Sequence, residues 1–225
     1  MTGTRGGTEA SDTGLHLPEG WRCAPLRDLC ASLRAGPASR VQDKGHTQAD
    51  GGVPVVLPRD LGGQRITTAE PGLVPAVPRE RARALEQHLL AEGDILITRT
   101  GNVGRLALVT GEHSGWLFHA NLVRMRLPGA GPAQAPYLAA YLSSGTAQDW
   151  VRARTAGSVI PSVSIRTLGE LPVPLPPQAE QRAIGATLAA LDEKIRAHTE
   201  IARTTVQYRA VLADALLTGV VTAQP

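Results

Sequence analysis

A chain of 225 residues with 42% apolar and 19% charged side chains can fill one well-cored domain plus an extension, or two small domains, and is not an intrinsically disordered polymer. Aromatic residues are only 3%, so aliphatic side chains must fill the core, and a nucleic-acid module built on rows of stacked rings is excluded. The net charge of +3 lies entirely in the first 175 residues, which hold 18 Lys/Arg against 15 Asp/Glu, whereas residues 176–225 hold five of each.

Arginine supplies 21 of the 23 basic side chains, and its guanidinium suits forked contacts to phosphate and guanine edges. Cys23 and Cys30 fit no zinc-ligand spacing and read as reduced thiols. The N-terminal stretch is polar rather than signal-like, and no apolar run approaches the ~20 residues of a membrane span. A cytoplasmic protein without a metal centre is expected.

Residues 1–14 are small and polar and read as a disordered leader. Order is expected from Leu17-Pro18-Glu19-Gly20-Trp21, with Trp21 as the anchor, and residues 28–33 form a short apolar element. Residues 52–57 carry a β-branched strand pattern that Pro54 confines to a sheet edge or strand start, and 65–68 predict a second strand. Pro78, Glu80 and Gly93 punctuate a helix over 78–91 with Leu85, Leu89 and Leu90 as its apolar stripe. Residues 94–99 and 105–109 predict a hairpin around the turn Thr100-Gly101-Asn102-Val103-Gly104, whose Gly and Asn tolerate positive φ. A strand over 122–127, helices over 136–143 and 146–154, and a Gly/Ser/Pro loop over 157–162 follow. Ser164 is a helix cap before 165–168. Leu171-Pro172-Val173-Pro174-Leu175-Pro176-Pro177 cannot be helical and predicts an extended, stiff connector.

Beyond Pro177 the pattern changes. Residues 178–217 contain no Pro and a single Gly, Gly185, and as one helix would span ~60 Å. Ile184, Leu188, Leu191 and Ile195 follow heptad spacing, which continues weakly through His198, Ala202, Thr205 and Arg209 and recovers at Leu212 and Leu216. Ile201, Tyr208 and Val211 shift the apolar stripe in between. Gly219 is the expected stop. Such a helix is expected to project outward rather than fold back.

Three stretches in this order resemble one known family: Leu17-Pro18-Glu19-Gly20-Trp21; Glu92-Gly93-Asp94-Ile95-Leu96 with Arg99, Gly101, Asn102 and Gly104; and the proline run followed by Glu180-Gln181-Arg182-Ala183-Ile184 and Leu191-Asp192-Glu193-Lys194-Ile195. From Leu15 to Gly219 the chain resembles the specificity subunit of type I restriction–modification systems, in a half-length form with one target-recognition domain. The resemblance implies a mixed-sheet α/β (α+β) recognition domain over 15–175, a coiled-coil-forming helix over 176–219 for dimerisation and methyltransferase binding, and a tail over 220–225. It implies double-stranded DNA, methyltransferase subunits, a translocase–nuclease subunit and a second copy or paralogue as partners. S-adenosylmethionine would reside in the methyltransferase, with no cofactor in this chain. A homodimer would read a gapped palindrome.

A DNA face needs cations and amides for phosphates and a few donors for base edges. The candidates are Lys44, His46, Arg59, Arg99, Asn102, Arg105, His119, Asn121, Ser158 and Ser162. Ile184, Leu188, Leu191, Ile195, Tyr208, Leu212 and Leu216 are the candidates for helix pairing. Gly101-x-x-Gly104 lacks the length and the Lys-Ser/Thr ending of a phosphate loop, and Asp192-Glu193 point ~100° apart on a helix. No amino-methylation, cofactor-loop or nuclease motif occurs, so no catalytic residue is expected. Two other readings share these features: a stand-alone DNA-binding regulator or antirestriction decoy, and an interaction adaptor that never touches DNA.

Overall fold

The computed structural model describes residues 17–37, 47–48, 51–68, 73–129, 134–155 and 159–220. In chain order these form β1 (Arg22–Pro25), α1 (Leu26–Leu29), β2 (Ser32–Ala35), β3 (Val53–Val56), β4 (Leu61–Gly62), β5 (Arg65–Ile66), β6 (Ala76–Val77), α2 (Arg79–Arg83), β7 (Ile95–Thr98), β8 (Leu106–Leu108), β9 (Leu117–Phe118), β10 (Leu122–Arg126), α3 (Ala135–Ser143), α4 (Gly145–Ala153), α5 (Ile165–Gly169), β11 (Pro172–Leu175) and α6 (Gln178–Leu217). The result is a mixed α/β head followed by one long helix.

An antiparallel sheet ordered β2-β10-β7-β8 organises the head. Side chains alternate across it with the two-residue period of a strand. Ile95, Ile97, Val123 and Met125 pack with Leu138, Leu142, Val151 and Leu168 from α3, α4 and α5. Leu96, Ala107 and Leu122 pack on the other face with Val56, Leu61, Ile66 and Phe118. A second sheet, β6-β3-β9, covers that side, with β3 and β9 parallel. Pro54 is tolerated in β3, the central strand of that sheet, because it is the second residue of a strand only four residues long.

Four expectations change. The helix expected over 78–91 stops at Arg83 and gives way to a 3₁₀ turn at Glu86–His88. After the bend the carbonyls of Gln87 and Leu89 accept from the buried guanidinium of Arg124 at 3.2 and 2.9 Å; a helix continued to residue 91 would have given the Gln87 carbonyl to the Ala91 amide. The strand expected over 65–68 is only the two residues of β5, and it closes a small hairpin with β4. Trp21 is half-buried; Leu26, at α1, is the first fully buried side chain. The proline run is extended, but as a strand of the head rather than a free connector. β11 pairs antiparallel with β1, with Arg22 opposite Leu175 and Pro25 opposite Pro172, and Leu171 and Val173 are in the core. Tyr137 and Tyr141 on α3 donate hydroxyls to the carbonyls of Pro174 and Pro172, both at 2.6 Å.

Helix α6 is 40 residues long and ends before Gly219, whose φ of 73° is the left-handed stop. It projects, but its first turns are docked. Gly185 is buried against α3, where a Cβ would stand 2.9 Å from the Tyr137 amide nitrogen. Two turns on, Gln64 donates to Asp192 at 3.0 Å and Arg65 pairs with Glu193 at 2.5 Å, so the β4–β5 hairpin braces the helix. Gln64 has φ +60°, the one positive value at a non-glycine residue among the described residues. Among those residues no helix is long and apolar enough to cross a membrane. Both cysteines are free, and burial pushes the Cys30 thiol up to about 12, so it is inert at neutral pH.

Candidate nucleic-acid interface

The β7–β8 turn is built on one buried hydroxyl. Thr98 Oγ1 accepts from the Arg105 amide at 3.0 Å and donates to the Asn102 carbonyl. The Thr98 carbonyl accepts from the Gly104 amide at 3.0 Å. Gly101 and Gly104 hold φ values of 81° and 94°, which branched or bulky side chains resist. Gln148 of α4 donates to the carbonyls of Gly104 and Leu142 at 3.0 and 2.7 Å, and a Cβ at Gly104 would fall 2.5 Å from Gln148 Oε1. The turn is therefore fixed by backbone bonds and by α4 before any ligand arrives.

Two further segments lock onto it. The Arg99 amide donates to the Asn121 carbonyl at 2.8 Å, while the Arg99 carbonyl accepts from the Val163 amide at 2.9 Å. Thr100 bridges Ser162 antiparallel, and the Gly101 amide donates to the Pro161 carbonyl at 2.9 Å. The His119 amide donates to the Val56 carbonyl at 2.9 Å, placing the end of β3 on the same rim. Gly36 fits there because a Cβ would lie 2.4 Å from the His119 carbonyl oxygen.

This rim joins most of the residues expected from sequence. Arg99, His119 and Asn121 are half-buried at its centre, and Asn102 and Ser162 are exposed on it. Arg99 Nε is buried with no hydrogen-bond partner, although a buried donor without one costs about 1–3 kcal/mol. Burial lowers the His119 pKa, so its ring is neutral at pH 7. Its Nδ1 accepts from the Asn121 amide at 3.1 Å, which puts the ring proton on Nε2 as a donor. Arg105 is exposed on the far limb of the turn, beside the β4–β5 hairpin, where a Cβ at Gly62 would touch its Nη2 at 3.4 Å. Arg59 follows β3 by three residues, its exposed side chain 3.8 Å from Asp60. Lys44, His46 and Ser158 lie outside the described residues.

Sequence reasoning overlooked two residues here. Thr98 carries a hint, a hydroxyl at the strand end before a Gly-Asn turn. Gln148 carries none, because its partner is 44 residues away. Val159 and Ile160 belong to the 155–162 loop, a candidate segment from the sequence, and both are exposed.

The rim offers cations and neutral donors rather than a reacting pair. No group of three or more His, Cys, Asp or Glu that could hold a metal ion occurs among the described residues. Along α6, Leu188, Leu191 and Ile195 are 39%, 51% and 63% exposed, and Tyr208, Leu212 and Leu216 are exposed as well; Ile184, next to Gly185, is half-buried.

A family model for the type I restriction modification DNA specificity domain matches residues 18–204. A protein of Methanocaldococcus jannaschii described as a type I restriction enzyme MjaX specificity subunit is 26% identical over 185 residues, covering 80% of this chain and 41% of that protein. The HsdS subunit from Thermoanaerobacter tengcongensis superposes with a TM-score of 0.58 at 18% identity, covering 95% of this chain and 53% of that one. The S subunit of a type I system from M. genitalium gives 0.59 at 17% identity, covering 91% and 48%. A chain from a solved type I R-M system gives 0.60 at 22%, covering 89% and 45%. The chain thus spans about half the length of the relatives it matches.

Proposed function

The chain belongs to the type I restriction–modification DNA specificity family, whose members are non-catalytic, and from that membership we propose that its head binds one half of a split sequence in double-stranded DNA. The observation that carries this is Arg99. Its backbone ties the β7–β8 turn to the segments at Asn121 and Val163, and neighbouring backbone bonds bring Asn102, His119 and Ser162 to the same rim. The half-buried Arg99 is the cation there that a phosphate or a guanine edge would engage.

In this proposal the exposed stripe of α6 pairs with a second helix, from another copy or a paralogue, and recruits methyltransferase subunits that hold S-adenosylmethionine. Docking of the first turns on α3 and on the β4–β5 hairpin supports a fixed helix direction, and hence a fixed spacing between half-sites. Two identical heads would read a gapped palindrome.

The test is binding to a randomised duplex pool at several salt concentrations, with and without co-expressed methyltransferase. Affinity should fall steeply with salt as counterions are released. Arg99→Ala should weaken binding about tenfold and reduce the salt slope by about 1. Salt-insensitive binding, or none, would favour an adaptor. Sequence-selective binding with no methyltransferase retained would favour a free-standing regulator or decoy.

A further inference from the structure

We propose that Val159 and Ile160 form an apolar reading tip that contacts thymine methyl groups in the major groove, beside Asn102. The proposal rests on the DNA-binding reading above and assigns part of that face a base preference.

Val159 is 103% exposed and Ile160 61%. One exposed aliphatic side chain needs no explanation, but two in succession place a block of apolar surface in water on an otherwise polar rim. Their backbone is well anchored nearby: Pro161 accepts from the Gly101 amide, Ser162 bridges Thr100, and Val163 donates to Arg99. The tip is thus held against the β7–β8 turn. Across the Gly101–Pro161 contact, the next residues are Asn102 on one strand and Ile160 on the other. Asn102 is exposed, and its carboxamide has no hydrogen-bond partner among the described residues.

That juxtaposition matches the chemistry of one base pair. In the major groove an A·T pair presents adenine N7 and N6–H₂, which a carboxamide reads with two hydrogen bonds, beside the thymine C5-methyl, which takes an apolar contact. The minor groove presents only acceptors at A·T and has no methyl group. A rim pairing a free carboxamide with two β-branched side chains therefore fits the major-groove edge. Arg99, at the same junction, supplies the charge that draws the rim to DNA rather than to an apolar protein surface.

The experiment uses the full chain with its methyltransferase. A site is selected from a randomised duplex pool, and each thymine in it is then replaced singly by deoxyuridine, which removes only the methyl group. The wild type should bind about three- to tenfold more weakly at one or two substituted positions. The variant V159S/I160S, which removes the side-chain methyl groups at an exposed place, should bind the thymine and deoxyuridine duplexes equally and keep the wild-type salt slope. N102A should lose preference for the adenine of the same or the adjacent pair. A wild type indifferent to every replacement, a selected site without an A·T pair, or a variant with the wild-type methyl dependence would overturn the proposal while leaving the DNA-binding reading intact. A wild type that binds no duplex would sink both.

Discussion

Arg126 clasps Asp94 with two hydrogen bonds, Nε to Oδ1 at 2.8 Å and Nη2 to Oδ2 at 2.7 Å, and the carboxylate is almost completely buried. The same Oδ2 accepts from the Ala91 amide at 2.8 Å, and Arg126 Nη2 also reaches the Leu89 carbonyl at 3.0 Å. Arg124, itself buried, lies 4.0 Å away. One side chain thus ties the approach to β7 to the end of β10. Asp94→Ala would leave two guanidinium groups facing each other without a counter-charge, so a loss of about 3 kcal/mol is expected. The figure sits at the low end for a broken buried pair because Arg126 keeps contact with water. Urea unfolding measures it; a loss below about 1 kcal/mol would show that the clasp is not needed.

The tyrosines of α3 offer a second measurement. Prolines 172 and 174 can donate no hydrogen bonds, yet their carbonyls accept from Tyr141 and Tyr137. Tyr137→Phe should cost about 1–2 kcal/mol, since the Pro174 carbonyl would lose its donor in a buried place. The double variant with Tyr141→Phe should cost more than either single change. Equal urea midpoints for the wild type and all three variants would argue that water replaces the hydroxyls.

Gly185→Ala sets two effects of opposite sign against each other. Helix propensity alone favours alanine by about 1 kcal/mol. The added Cβ, however, would stand 2.9 Å from a backbone nitrogen of α3, which cannot move aside like a flexible side chain. Overpacking costs about 1–3 kcal/mol, so net destabilisation is expected. Hydrogen exchange should locate it in the first two turns of α6 and the start of α3, with the distal helix unaffected.

Three histidines give the head a pH dependence of predictable sign. Burial, then the charges of Arg34 and Arg124, lowers the His88 pKa from its usual 6.5, with a backbone bond at Ala35 opposing in part. Burial likewise lowers His113 and His119. The folded state therefore binds these protons less readily than the unfolded chain does. The stability they contribute is complete above pH 6.5 and is lost as the pH falls below it towards the folded-state values. Urea midpoints at pH 7.5 and 5.5 should fall accordingly, and His88→Gln should flatten the slope.

Legibility from the sequence divided along physical lines. The hairpin of β7 and β8 was readable because its alternation, turn glycines and strand lengths are all local, and α6 because no Pro interrupts residues 178–217 and heptad spacing is strong at both ends. The cap at Ser164 was readable for the same reason, and its hydroxyl accepts from the Thr167 amide at 2.9 Å. What escaped depends on partners far along the chain. The early end of α2 is dictated by Arg124, about 40 residues later, and the strand character of 172–175 by β1, about 150 residues earlier. At the rim, Arg99, Asn102, His119, Asn121 and Ser162 were nameable as turn and loop residues. That they converge follows from backbone bonds no local pattern encodes.

The pairing of β1 with β11 has an architectural consequence. The chain enters and leaves the head on adjacent strands, so the head behaves as a plug whose two leads lie side by side. Everything between those leads could be exchanged and the rod beneath keep its bearing, provided the substitute supplies both the α3 surface under Gly185 and partners for Asp192 and Glu193.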